Sequence, residues 1–180
     1  SCTYLRGMSL KWVFLAAAFS IVVGPSVAQV QDAIGKDRMM LFGVVTEGKG
    51  GADLRNVTVR VVTDSIPRDS VFTDATGRYQ VFVPLQGVHR LVYALDGFDR
   101  KVVQVDASGE MDEAARKQEW NLRIDIELKP TEAELPAELM DTPIGIAAWQ
   151  PEVREFGWDR PYTDRYKLRY KQAVKAAGRK

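Results

Sequence analysis

Between Trp120 and Leu128 apolar and polar residues alternate without a break. Leu122, Ile124, Ile126 and Leu128 fall on one face, and Asn121, Arg123, Asp125 and Glu127 on the other. Successive side chains of an extended chain point to opposite sides, so a period of two fits a strand with one face buried and one in water. The pattern begins earlier, at Met39. Leu41 to Val45, Val57 to Val62, Val71-Phe72, Tyr79 to Val83, Val88 to Ala94 and Phe98 to Val105 each read as a strand. Turn signals separate them: Gly48 to Gly51, Ser65 to Asp69, Asp74-Ala75-Thr76-Gly77 and Asp96-Gly97. No helical periodicity interrupts residues 39–106, which argues against a parallel sheet with crossover helices. The polar run 107–119 suits a short solvent-facing helical turn in the last crossover. About seven short strands punctuated in this way predict an all-β fold, an antiparallel seven-stranded sandwich.

The chain has 180 residues, 25 Lys+Arg and 24 Asp+Glu, which suits one domain with appendages and gives no overall nucleic-acid footprint. A single cysteine, Cys2, excludes an internal disulfide and a multi-cysteine zinc site. The single histidine, His89, removes most metal-hydrolase and histidine acid/base schemes, and its default place is a surface or strand edge. No nucleophile elbow, zinc-helix or phosphate-loop motif is present. No metal or other cofactor is expected, since Asp69, Asp74 and Asp96 read first as turn formers.

Lys11 precedes an uncharged run, Trp12 to Val23, then Gly24-Pro25 and Ser26-Val27-Ala28. A basic start, a short apolar run and small residues before a cleavage point predict an export signal over residues 1–28, with 1–7 an upstream extension. The remainder would carry no cysteine, which suits an oxidising compartment. The expected organisation is 1–28 signal, 29–130 sandwich, 131–161 extended acidic and aromatic linker, and 162–180 basic C-terminal helix.

The near-zero net charge is a cancellation. Residues 29–130 carry 14 basic and 16 acidic side chains, residues 131–150 carry four acidic and none basic, and 152–180 carry nine basic and four acidic. In the last segment Tyr162, Tyr166, Tyr170 and Val174 recur every four residues and form one stripe of a helix. Thr163 is placed to cap its start and Gly178 to end it. Arg165, Lys167, Arg169, Lys171 and Lys175 cover the other faces. The stripe either packs on the sandwich or docks on another protein. A membrane-surface role is disfavoured because the apolar face is narrow.

Phe42-Gly43-Val44-Val45, Asn56 to Val59, Thr73-Asp74-Ala75-Thr76-Gly77-Arg78-Tyr79 and Asp96-Gly97-Phe98 together resemble the carboxypeptidase regulatory-like domain family. The resemblance implies a transthyretin-like or immunoglobulin-like sandwich in an accessory, non-catalytic role. Pro143-Ile144 with Phe156-Gly157-Trp158-Asp159-Arg160-Pro161-Tyr162 also resembles a tail segment of exported Bacteroidota proteins. The expectation is an exported, non-enzymatic interaction or scaffold module, in the periplasm or at the cell surface of a Gram-negative bacterium. Its partner would be an envelope protein and not a nucleic acid. Trp149, Phe156, Trp158, Tyr162, Tyr166, Tyr170, Arg165 and Arg169 are the candidate partner-binding residues. The alternatives are a carbohydrate-binding module using Trp149 and Trp158, and a hydrolase with an unrecognised carboxylate pair.

Overall fold

In the computed structural model, which describes residues 37–131 and 135–178, the alternation becomes two sheets around one core. The expected export signal, residues 1–28, lies outside the described residues. The chain runs β1 (Arg38–Glu47), β2 (Thr58–Thr63), β3 (Ile66–Phe72), β4 (Arg78–Pro84), β5 (Val88–Ala94) and β6 (Lys101–Asp106). There follow α1 (Glu113–Arg116), β7 (Trp120–Arg123), β8 (Ile126–Leu128), α2 (Ala137–Asp141), β9 (Ile146–Gln150), β10 (Glu155–Trp158) and α3 (Arg160–Ala177). One sheet has the order β4-β1-β7, with β8 also on β1, and the other has the order β10-β9-β6-β5-β2-β3. The result is a β-sandwich.

Inward residues of both sheets make the core. Met39, Leu41, Val45, Val81, Val83, Ile126 and Leu128 come from the smaller sheet, and Val57, Val59, Val61, Leu91, Val103 and Val105 from the larger side. Tyr79 and Tyr93 bridge the two. Their rings meet edge-to-face at 5.5 Å, Tyr79 donates to the Ile124 carbonyl at 2.8 Å, and the two hydroxyl oxygens are 2.6 Å apart. A carbonyl only accepts, so Tyr93 donates to Tyr79 and both buried hydroxyls are satisfied. Burial raises the pKa of both, strongly for Tyr93.

Two glycines of the motif set have steric reasons. A Cβ on Gly43 would lie 2.1 Å from the Ile124 carbonyl oxygen, so only glycine lets β1 pass this close. Gly77 has φ of +67° and closes the Asp74 turn under Val45. Asp74 Oδ1 accepts from the N–H groups of Thr76 and Arg78 and from the Thr76 hydroxyl, which hold its pKa below the usual carboxylate value.

The strand pattern departs from expectation in four places. β3 runs through the expected turn at residues 65–69, and it has no buried face to mark it as a strand. The long run 120–128 splits into β7 and β8, because Ile124 gives its carbonyl to Tyr79 and Asp125 Oδ1 takes the Val44 N–H. Both pieces pair with β1 in parallel, and β9 joins β6 in parallel, so the sheets are mixed. The stretch 131–161 is more than an extended connector: it supplies α2, β9 and β10, and the last two extend the larger sheet. Its strands are short, five and four residues, and the prolines around them mask their alternation.

His89 is corrected from surface to core. It shares the inward face of β5 with Leu91 and Tyr93 and is 0% exposed. Its Nε2 lies 2.8 Å from the Pro84 carbonyl and its Nδ1 2.9 Å from the Thr63 hydroxyl. The carbonyl needs a donor, so the proton sits on Nε2 and Nδ1 accepts from Thr63. Burial pushes its pKa down.

Candidate functional site

The C-terminal helix α3 begins earlier than expected. Asp159, not Thr163, is the cap: its Oδ1 accepts from the Tyr162 N–H at 2.8 Å. Pro161 follows in the first turn, where its missing N–H costs nothing. Thr163 instead returns its hydroxyl to the Asp159 carbonyl at 2.9 Å. Gly178 stands at the end, as expected.

The tyrosine stripe faces the sandwich. Tyr162 donates to the Pro143 carbonyl at 2.8 Å and Tyr170 to Asp99 Oδ2 at 3.1 Å. Tyr166 is buried between them, stacked on Tyr170 with centroids 6.2 Å apart. Burial pushes the Tyr166 hydroxyl up to about 12. Val174, the fourth member of the stripe, is exposed, so the seam opens toward the end of the helix. Arg165 and Arg169 are on the exposed surface of α3, as is Leu168 at 59%.

The candidate aromatics divide. Trp149 is 8% exposed and forms a three-ring cluster with Trp120 and Phe156 at centroid distances of 5.3 to 5.7 Å. Trp149 Nε1 donates to the Glu110 carbonyl and Trp120 Nε1 to that of Ala115. Trp149 is therefore core, and Phe156 is half-buried against it. Trp158 is 37% exposed and rests against Gly145.

Where the seam opens, α3 and the sandwich enclose a cleft of about 760 Å³. One wall is a ridge of α3, Lys167, Lys171 and Lys175, spaced by four. The opposite wall carries Lys101, at the start of β6, and Lys129, just after β8. Leu135, Ile144, Tyr166 and Val174 supply apolar surface. Among the described residues two carboxylates line it: Asp99, largely buried and taken by Tyr170, and Glu127, whose backbone carbonyl accepts from Lys101 Nζ. Lys129 Nζ stands 5.8 Å from the centre of the Tyr170 ring. Burial first, and the nearby Lys129 charge among lesser causes, pull the Lys101 pKa down, with Glu127 and Asp99 opposing. A second cleft of about 520 Å³ shares Ile144, Thr163 and Lys167 with the first and continues to Trp158, Arg160 and Arg123.

The five lysines were missed by sequence reasoning as a site. Lys167, Lys171 and Lys175 were legible as a stripe beside the tyrosines. Lys101 and Lys129 join them only through β-sheet pairing between distant segments. Among the described residues, no three His, Cys, Asp or Glu side chains gather as a metal site.

No family model and no curated protein matches the chain. Solved structures give partial likenesses. The Bacillus anthracis TIE protein is 11% identical over 52% of this chain and 17% of its own, with a TM-score of 0.42. Wild-type catechol 1,2-dioxygenase from Acinetobacter radioresistens is 17% identical over 58% of this chain and 55% of its own, with a TM-score of 0.40. The pilus 2b backbone protein of group B streptococcus is 13% identical over 51% and 40%, with a TM-score of 0.35. The chain spans less than two thirds of each, and likenesses at this level carry no argument about activity.

Proposed function

We propose that this chain is an exported, non-catalytic β-sandwich module of the cell envelope, similar in role to carboxypeptidase regulatory-like domains. On this proposal it binds a protein partner along the side of the sandwich that carries α3. One observation carries the proposal: the tyrosine stripe is spent on fastening α3 to the sandwich, which leaves a fixed cationic surface flanked by a cleft. A helix held in place loses little further freedom on binding, which favours recognition by a preorganised surface. Five amines around two carboxylates, among the described residues, suit recognition of an anionic partner.

Affinity capture from envelope extract of the source organism tests this, using the whole chain and an Arg165→Glu/Arg169→Glu variant. The expected result is an envelope protein retained by the first and lost by the second. Equal recovery by both, or none by either, overturns the proposal. Fractionation of the tagged chain should place it in the envelope or periplasm, and retention in the cytoplasm would defeat the export part. A carbohydrate-binding role rests on Trp158 alone, since Trp149 is buried. Loss of a glycan-array signal in Trp158→Ala would favour it.

A further inference from the structure

We propose that the lysine-walled cleft between α3 and the sandwich binds an extended acidic peptide segment whose alternate residues are apolar. This deepens the module proposal and rests on it, because it names the chemistry of the partner.

Charge is the first support. Lys167, Lys171 and Lys175 face the cleft from the helix, and Lys101 and Lys129 from the sandwich. Like charges on two walls repel across the gap, and among the described residues Asp99 and Glu127 offset only part of them. Asp99 is further committed to the Tyr170 hydroxyl. Lys167 also reaches Asp164 at 3.7 Å, on the exposed side of the helix. A ligand bringing two or three carboxylates would relieve the imbalance and gain charge-assisted hydrogen bonds.

Shape is the second. From Thr163 to Lys175 the helix wall runs about 18 Å at the α-helical rise. That length takes about five or six residues of extended chain. The apolar floor of Leu135, Ile144, Tyr166 and Val174 suits alternate apolar side chains. The acidic side chains between them would stay at the rim, within reach of the long lysine stems. The same features disfavour other polyanions. The apolar surface is narrower than a bilayer-binding helix needs, and a sulfated polysaccharide has no apolar face for the floor.

The test uses fluorescence anisotropy of a labelled hexapeptide of alternating Glu and Leu against the whole chain, with the Gln/Leu counterpart as control. The Glu/Leu peptide should bind at least about tenfold more tightly than the control, and the difference should shrink with added salt. Lys129→Glu/Lys171→Glu should weaken it by about tenfold or more, while Lys129→Arg/Lys171→Arg keeps it within about twofold. Circular dichroism checks folding, and Lys171→Gln/Lys175→Gln, on exposed helix positions, serves if the charge reversal does not fold. Equal binding of the two peptides overturns the proposal. So does binding only to phosphatidylglycerol vesicles, or only to heparin. Failure here with an arm-dependent envelope partner in the capture experiment removes the cleft assignment and leaves the module. Peptide binding with no captured partner does the reverse.

Discussion

Tyr79 and Tyr93 lie between the two sheets, and Tyr162, Tyr166 and Tyr170 lie under α3, so one residue type is buried in two different ways. In the sandwich, the two hydroxyls form a closed relay ending on the Ile124 carbonyl. Under the helix, two hydroxyls reach separately to the body, Tyr162 to Pro143 and Tyr170 to Asp99, and these two rings stay half-buried around the buried Tyr166. A closed polar pair inside a dry core is all-or-none: losing one member strands the other without water. A seam with solvent at its margin loses its interactions one at a time. The sandwich should therefore fail as a unit, and the arm should loosen while the sandwich stands.

The largest effect should come from Tyr93→Ala. It removes a fully buried ring and leaves the Tyr79 hydroxyl without its donor. Truncating a core aromatic costs about 3–5 kcal/mol. Urea denaturation monitored by circular dichroism should show most of that loss, with one transition. A cost below about 1 kcal/mol would show that the pair does not hold the sheets together.

Tyr166→Ala should cost less, about 1–3 kcal/mol, because the ring is buried in a seam and not in the core. Its signature should be local: faster amide hydrogen exchange in α3 with β1, β4 and β5 unchanged. Uniform acceleration across the sandwich would erase the distinction between the two regions.

The pH dependence sharpens the comparison from the core side. His89 is neutral in the fold and its pKa is lowered by burial, whereas the unfolded chain titrates near the ordinary histidine value. As pH falls below about 6.5, the unfolded state binds the proton first, so stability declines until the folded pKa is passed. One proton contributes at most about 1.4 kcal/mol per pH unit. Chemical denaturation at pH 7 and pH 5 should show the decline, and His89→Gln should flatten it. Equal slopes in the two proteins would mean that His89 titrates alike in the folded and unfolded states.

How much of this was legible in the sequence follows the same divide. In residues 39–129, period-two alternation located the strands that put one face in the core, and it missed most of β3, which has no buried face. Alternation says which residues share a face, but not which face is buried where polar residues occupy it. His89 was misplaced for that reason: an imidazole among valines looks like an outlier until Thr63 and the Pro84 carbonyl are brought to it. In residues 131–158 the strands are short and bracketed by prolines, so β9 and β10 carried no clear period. The tyrosine spacing identified α3 and its stripe, but left open whether the stripe faces the sandwich or another protein. The cleft was half visible, as the Lys167, Lys171 and Lys175 ridge. Its other wall comes from β6 and the end of β8, which only tertiary pairing places opposite α3.

The smallest effect concerns where α3 begins. Thr163 and Asp159 both have capping chemistry, and helix periodicity alone does not choose between them. Pro161 decides it: a proline is accepted in the first turn and fixes φ there, so the helix starts before it and the cap falls on Asp159. Asp159→Ala should cost about 1 kcal/mol, the usual loss for an N-cap side chain. Its effect should be concentrated at the start of α3, where Tyr162 would lose its fixed approach to Pro143. Thr163→Ala removes only a hydroxyl turned back onto the preceding carbonyl, and should change stability by less than about 0.5 kcal/mol. Urea midpoints of the two variants provide the check. A larger loss for Thr163→Ala would move the cap into the helix and detach the first turn, with Tyr162, from the seam.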